Sequence, residues 1–298
     1  MLMEMTTPSC TRAEVLKLIE NSGYPFELNV AALLQARGYD VKLSHHFFNP
    51  LRQQDSELDI LASREITCVR QKARNRIRCI LELAIECKDN SLPYVLFGFP
   101  SPKPPPESML DTDCYYIKTR STDDDIPNKL CYVALGDSRI KSSTKRDLHQ
   151  FAEPFRFHQA TAVEIEKSKL KLHATDRLRT SLGGLVGYLE YIQDTWQNGK
   201  KALESGMSYD PTIWINFFLL IHNGDHFRYT NEKALEVATH TTLFTSFHSD
   251  TASVPLAIDF VKYKDLEAAL KQIEASFDVL YKHLGLYVKP SPRPAEQI

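Results

Sequence analysis

A chain of 298 residues, 43% hydrophobic and 25% charged, can bury one large core and has the balance of an ordinary globular protein. Its net charge of −2, from 36 basic against 38 acidic residues, excludes a protein that holds phosphates through an overall positive field, so nucleic-acid contacts must come from a local patch or a partner. No apolar run reaches the roughly 20 residues of a membrane span, MLMEMTTPSC lacks a secretory pattern, and the six cysteines form no CxxC pair; the expectation is a cytoplasmic protein with reduced thiols and no membrane partner.

In chain order, Thr11-Arg12-Ala13-Glu14 has capping-box spacing and predicts a first helix, stopped by Gly23. A second helix starts near Pro25 and ends at Gly38, with Phe26, Val30, Leu33 and Leu34 as its buried stripe. Val41–Phe48, Leu58–Ala62 and Ile77–Cys87 predict three strands, the last two separated by a polar, arginine-rich stretch. Pro100, Pro102, Pro104, Pro105 and Pro106 predict a loop over residues 100–127. Leu130–Leu135 is a further strand candidate. Residues 161–207 read as a helical insertion, charged and broken near Gly183-Gly184.

Thr212–Ile221 predicts a buried strand turned by His222-Asn223-Gly224-Asp225, and Asn-Gly between apolar runs is the strongest short signal for a hairpin. Leu256–Val261 predicts another strand. A closing helix from Asp265 places Leu266, Ala269, Leu270, Ile273, Phe277 and Leu280 on one face. The tail from Lys289, with three prolines, predicts disorder. This order predicts a single α/β domain over 1–298, with a mixed sheet flanked by helices rather than a doubly wound one.

Two short segments carry chemistry: Glu57-Leu58-Asp59-Ile60 and Ile85-Glu86-Cys87-Lys88. If their strands form an antiparallel hairpin in which facing residue numbers sum to about 145, Asp59 lies opposite Glu86 and Lys88 lies near Glu57. Alternate residues share a strand face, so Glu86 and Lys88 point the same way. Two carboxylates and an ammonium then converge. A hard cation such as Mg²⁺ takes oxygen ligands and keeps several waters, and a lysine beside it can orient or deprotonate an attacking water and offset charge.

At these residues the sequence resembles the PD-(D/E)XK, or restriction-endonuclease-like, nuclease family. The matching elements are Phe26-Glu27 on the second helix, the Asp59 strand and the Glu86-Cys87-Lys88 strand end, spanning residues 24–97; Leu58 stands where the family name has proline. The resemblance implies a restriction-endonuclease-like sheet, Mg²⁺ or Mn²⁺ held by Asp59, Glu86 and the Cys87 carbonyl, Lys88 acting on water, and Glu27 orienting a second ion or water. It further implies cleavage of DNA and, by analogy, a bacterial restriction or defence effector working with a sensor or ATPase partner, since this chain has no GxxxxGK loop of its own. The runner-up readings are a non-catalytic nuclease-fold module that binds nucleic acid or protein, and an RNA-directed nuclease of the same fold.

Blander readings stand beside these. Glu27 also suits a solvated acid in a first helical turn, and Glu82 reads as a strand-surface charge. His222 and His226 read as residues flanking a turn rather than as zinc ligands. The basic run Lys167, Lys169, Lys171, Arg177 and Arg179, interleaved with acids, reads as a solvated helix face.

The arginine-rich stretch, with Arg70, Lys72, Arg74, Arg76 and Arg78, is the most concentrated positive field in the sequence and the candidate DNA-binding element. It sits at the hairpin tip, about 40 Å from the acids at strand rise, too far for metal chemistry. Neutralising Arg70, Lys72, Arg74 and Arg76 together is expected to weaken DNA binding and to flatten its salt dependence by about 0.9 in log–log slope per lost phosphate contact. An unchanged slope in a salt titration of the quadruple variant would make these charges a solvated turn.

Overall fold

The computed structural model describes residues 11–20, 22–70, 76–89, 93–100, 117–120, 155–156, 163–165, 172–174, 181–192, 195, 212–230, 235–238, 240–248, 253–283 and 286–288. Local signals act as expected at the start. Thr11 N donates to Glu14 Oε2 at 2.8 Å and Glu14 N to Thr11 Oγ1 at 3.3 Å, which opens α1 (Arg12–Glu20). Helix α2 (Tyr24–Ala36) has Pro25 in its first turn and closes at Gly38. There φ is +83°, and the N–H groups of Gly38 and Tyr39 reach back to the carbonyls of Gln35 and Leu34.

The strands that follow are β1 (Asp40–Asn49), β2 (Gln54–Arg70), β3 (Arg76–Lys88), β4 (Tyr94–Pro100), β5 (Ile117–Arg120), β6 (Phe155–Arg156), β7 (Val163–Ile165) and β8 (Leu172–Ala174). A helix α3 over residues 181–192 intervenes. Then come β9 (Thr212–His222), β10 (His226–Thr230), β11 (Leu235–Ala238), β12 (His240–His248), β13 (Ser253–Lys262), helix α4 (Leu266–His283) and β14 (Leu286–Val288). The strands join in the order β1-β2-β3-β9-β13-β12-β6-β4-β10-β11. Pairs β3–β9, β9–β13, β12–β6 and β10–β4 are parallel, and the other neighbours in this path are antiparallel. The protein is therefore mixed α/β, with four α-helices and a mixed sheet among the described residues. Among the described residues no helix is long and apolar enough to cross a membrane.

Two cores form because both faces of the central strands are apolar. On one face Phe26, Val30 and Leu34 of α2 and Leu266, Leu270 and Ile273 of α4 pack on Ile60, Leu83, Ile85, Phe217 and Leu219. On the other, Leu182, Leu185, Val186 and Leu189 of α3 pack on Leu58, Ala84, Phe218, Leu220 and Phe260. β9 is buried from Ile215 to His222, the near-continuous apolar pattern of a strand covered on both sides.

Several expectations are corrected. The Asn-Gly hairpin does not form. β9 is already flanked by β3 and β13, so β10 joins β4 instead, and among the described residues positive φ occurs only at Gly38, Ser44 and Gln53, not at the Asn223-Gly224 pair that a type I′ turn would need. The loop over 100–127 contains a strand, because Ile117–Arg120 pairs along the first residues of β9. The insertion over 161–207 is not uniformly helical, since β-branched Val163 and Ile165 lie in a β7–β8 pair. Nor does α3 break at Gly183-Gly184; the helix runs through them. Strand Leu130–Leu135, the basic run from Lys167 to Arg179 and the tail from Lys289 lie outside the described residues.

The glycines of α3 are there for close approach. A Cβ on Gly187 would run into the carboxamide of Asn49, which is fully buried and accepts the N–H groups of Leu51 and Arg52. Alanine at an open helix position would gain about 1 kcal/mol of propensity over glycine. Gly187→Ala is instead expected to destabilise the protein by about 1–3 kcal/mol through overpacking. Urea unfolding decides the sign, and a more stable variant would contradict this packing.

Candidate active site

The site is built at a local irregularity in β2. The β1–β2 ladder runs from Asp40↔Ser63 to Asn49↔Gln54 but skips the Ser44–Asp59 position, where Ser44 has φ +49°. Leu58 and Ile60, two apart, consequently pack into opposite cores, which a regular strand would not allow. The β2–β3 ladder ends at Ile60↔Ile85, with the facing numbers that the sequence predicts. Just beyond it, Asp59 Oδ2 accepts the Cys87 N–H at 2.6 Å, a side chain replacing the missing backbone partner.

Lys88 completes the group. Its Nζ lies 3.2 Å from Glu86 Oε2 and 3.5 Å from Asp59 Oδ2. Glu86 is only 5% exposed, and the Ser181 hydroxyl of α3 donates to it. The three side chains line an open cleft of about 260 Å³ together with Arg52, Glu57 and Ser181, among others. A Cβ on Gly184 would come within 2.8 Å of Glu86 Oε1, so α3 can cover this carboxylate only because it has no side chain there.

Electrostatics follow from burial. Burial and then the neighbouring Asp59 charge push the Glu86 carboxyl up to about 8, against the pull of Lys88 and Ser181. Glu27, in the first turn of α2, is raised to about 7, by burial first and then by Asp59. Burial lowers the affinity of Lys88 for its proton, but Glu86 and Asp59 outweigh it, and the ammonium is held above its ordinary range. The buried Cys87 thiol is pushed well above its usual range, so it is an inert core side chain.

The structure thus brings Asp59, Glu86, Cys87 and Lys88 together and sets Glu27 within electrostatic reach of Asp59 and Lys88. Among the described residues no group of three or more His, Cys, Asp or Glu side chains could enclose a metal, so Glu27 does not complete a cage with Asp59 and Glu86. Two carboxylates still suit Mg²⁺ or Mn²⁺, because such hard ions are commonly held by one or two carboxylates, with water and phosphate oxygens filling the remaining positions. Both carboxyls are raised by burial first and by the Asp59 charge second, so bringing them to the charged form there calls for a cation beyond Lys88.

Other candidates are distributed differently. Arg78, expected to grip DNA, forms a two-point ion pair with Glu65 across the hairpin (2.8 and 2.6 Å), a diagonal neighbour two residues from the Thr67 that faces it. Arg70 and Arg76 occupy ends of β2 and β3, and Lys72 and Arg74 lie outside the described residues. Glu82 is not a surface charge: it is half-buried under α3 and accepts from Tyr188 Oη at 3.1 Å. His222 and His226 are fully buried and hydrogen-bonded to each other at 2.9 Å, with burial depressing both, His222 to about 4. Residues not singled out in the sequence are Arg52, Asn49 and Ser181. Their signal was Gly183-Gly184 with Gly187, three glycines spaced along a helical apolar run, each needing close approach to be tolerated.

No protein-family model matches the chain, and no curated protein or solved structure matches it significantly.

A carboxyl raised in the folded state gives stability that is complete below its unfolded value and lost as pH rises through the folded one. Between pH 6.5 and 8.5 the loss comes from Glu86, with a smaller part from Glu27. The buried histidines, which shed protons only from the unfolded chain, offset a little of it near pH 6.5, in wild type and Glu86→Gln alike. Stability is expected to fall by about 2 kcal/mol across this window from Glu86. Glu86→Gln should flatten the fall, as read by urea midpoints at both pH values. An equal fall in both proteins would contradict the burial of this charge.

Proposed function

We propose that this chain is a metal-dependent endonuclease of the PD-(D/E)XK type that hydrolyses phosphodiester bonds in DNA. The observation that carries the reading is the meeting of Asp59, Glu86 and Lys88 in an open cleft, with Lys88 shared between the two carboxylates. The mixed sheet supports it too: an acid on α2, an aspartate strand and an ExK strand lie in the order of a restriction-endonuclease-like fold. A restriction or defence role with a sensor or ATPase partner belongs to the same proposal.

The roles follow from the local chemistry. Mg²⁺ or Mn²⁺, when bound by Asp59 and Glu86, would polarise the phosphate and make bound water acidic. Lys88 stays an ammonium at neutral pH, so it orients the attacking water and offsets charge growing on the phosphoryl oxygens rather than accepting a proton. Glu27, raised to about 7 and within electrostatic reach of Asp59 and Lys88, is the group suited to accept that proton. Glu86 must be deprotonated to serve as a ligand, so metal should bind more tightly as pH rises towards 8. Ser181 fixes the Glu86 rotamer.

Lys88→Ala is expected to leave the fold intact and to lower cleavage at least about 100-fold, because it removes a group that acts chiefly in the transition state. The check is digestion of supercoiled plasmid, single-stranded DNA and RNA side by side with Mg²⁺, Mn²⁺ or chelator. Full plasmid nicking by a folded Lys88→Ala protein would overturn the assignment, and cleavage of RNA alone would reassign the substrate.

A further inference from the structure

Arg52 is the cationic side chain of the cleft that the catalytic roles leave unused. Its backbone is held firmly. Buried Asn49 accepts the N–H groups of Leu51 and Arg52 on Oδ1 at 3.0 and 3.2 Å, and Gln53 Nε2 donates back to the Pro50 carbonyl at 2.6 Å. The Arg52 guanidinium lies along α3, where a Cβ on Gly183 would meet Nη2 at 2.7 Å. It lines the cleft beside Asp55, Glu57, Asp59 and Glu86, yet among the described residues its side chain makes no ion pair.

That combination has a chemical meaning. Lys88 is held at the reacting centre by both carboxylates, so its ammonium serves the phosphate being cut and not the rest of the strand. The carboxylates of the cleft repel a polyanion, so a strand can approach only if a cation meets it at the wall. A guanidinium presents a planar fork of N–H donors that matches two oxygens of one phosphate. Because the β1–β2 connection is tied down, little ordering is lost when it binds.

We propose that Arg52 grips a phosphodiester of the bound strand through two of its oxygens, in the gap between the β1–β2 connection and Gly183 of α3. This rests on the nuclease reading and adds the residue that docks the substrate. Gly183 is the complementary element: a Cβ there would push the guanidinium off its present position.

The test compares wild type with Arg52→Gln, Arg52→Lys and Gly183→Ala. It measures duplex-DNA affinity by fluorescence anisotropy over a salt range in Ca²⁺, and cleavage kinetics in Mg²⁺. Arg52→Gln is expected to raise Kd and KM about tenfold or more, with kcat changing far less, and to reduce the salt slope by about 0.9. Arg52→Lys should recover part of the affinity, and Gly183→Ala should raise KM as Arg52→Gln does. Unchanged Kd, KM and salt slope in a folded Arg52→Gln protein would overturn the role of Arg52 while leaving the nuclease reading in place. Wild type that binds DNA through Arg52 but cuts with no metal would sink the nuclease reading alone. Wild type that neither binds nor cuts would sink both.

Discussion

One lysine ammonium shared between two carboxylates, just past the point where the β2–β3 ladder ends, is the interaction on which the site depends. Lys88 meets Glu86 and Asp59 at 3.2 and 3.5 Å, where Glu86 has almost no contact with water. Buried charges are costly unless paired and hydrogen-bonded, and here one positive charge answers two negative ones. Burial, and then the Asp59 charge, raises the Glu86 and Glu27 carboxyls.

The fold keeps this group in place from three sides. β3 is sandwiched between β2 and β9, and its pairing with β9 continues to Lys88↔His222, so the ExK end cannot fray. Asn223 closes the same corner, its N–H reaching the Lys88 carbonyl and its amide the Asp89 carboxylate at 3.0 Å. From above, α3 comes close enough for Ser181 to bond Glu86 because Gly183, Gly184 and Gly187 carry no side chains. Those glycines weaken the helix intrinsically, and packing of Leu182, Leu185 and Leu189 into the second core offsets that cost.

What was legible in the sequence was what short-range chemistry decides. The capping box at Thr11, the glycine stop at Gly38 and the facing of the β2 and β3 strands all lie within local periodicity or a single hairpin. The Asp59–Glu86–Lys88 grouping was legible because the hairpin register brings the two segments together, although the irregularity that places Asp59 beyond the ladder was not. Long-range competition hid the rest. Asn223-Gly224 has ideal hairpin composition, but β9 had no free edge. Glu82 looked like a surface charge because nothing local announces a helix arriving 106 residues later with Tyr188. Ser181 and Arg52 escaped notice for the same reason, since each gains its meaning from an element distant in sequence.

The central claim is that Asp59 and Glu86 form a hard-cation site coupled to the protonation of Glu86. Calorimetric titration with Mn²⁺ at pH 7, repeated in buffers of different ionisation enthalpy, tests this most directly because it reports binding and proton release together. The account predicts saturable binding that releases close to one proton, is lost in Asp59→Asn, and binds without that release, and more weakly, in Glu86→Gln. Binding that survives Asp59→Asn unchanged, or no saturable binding at all, would contradict it.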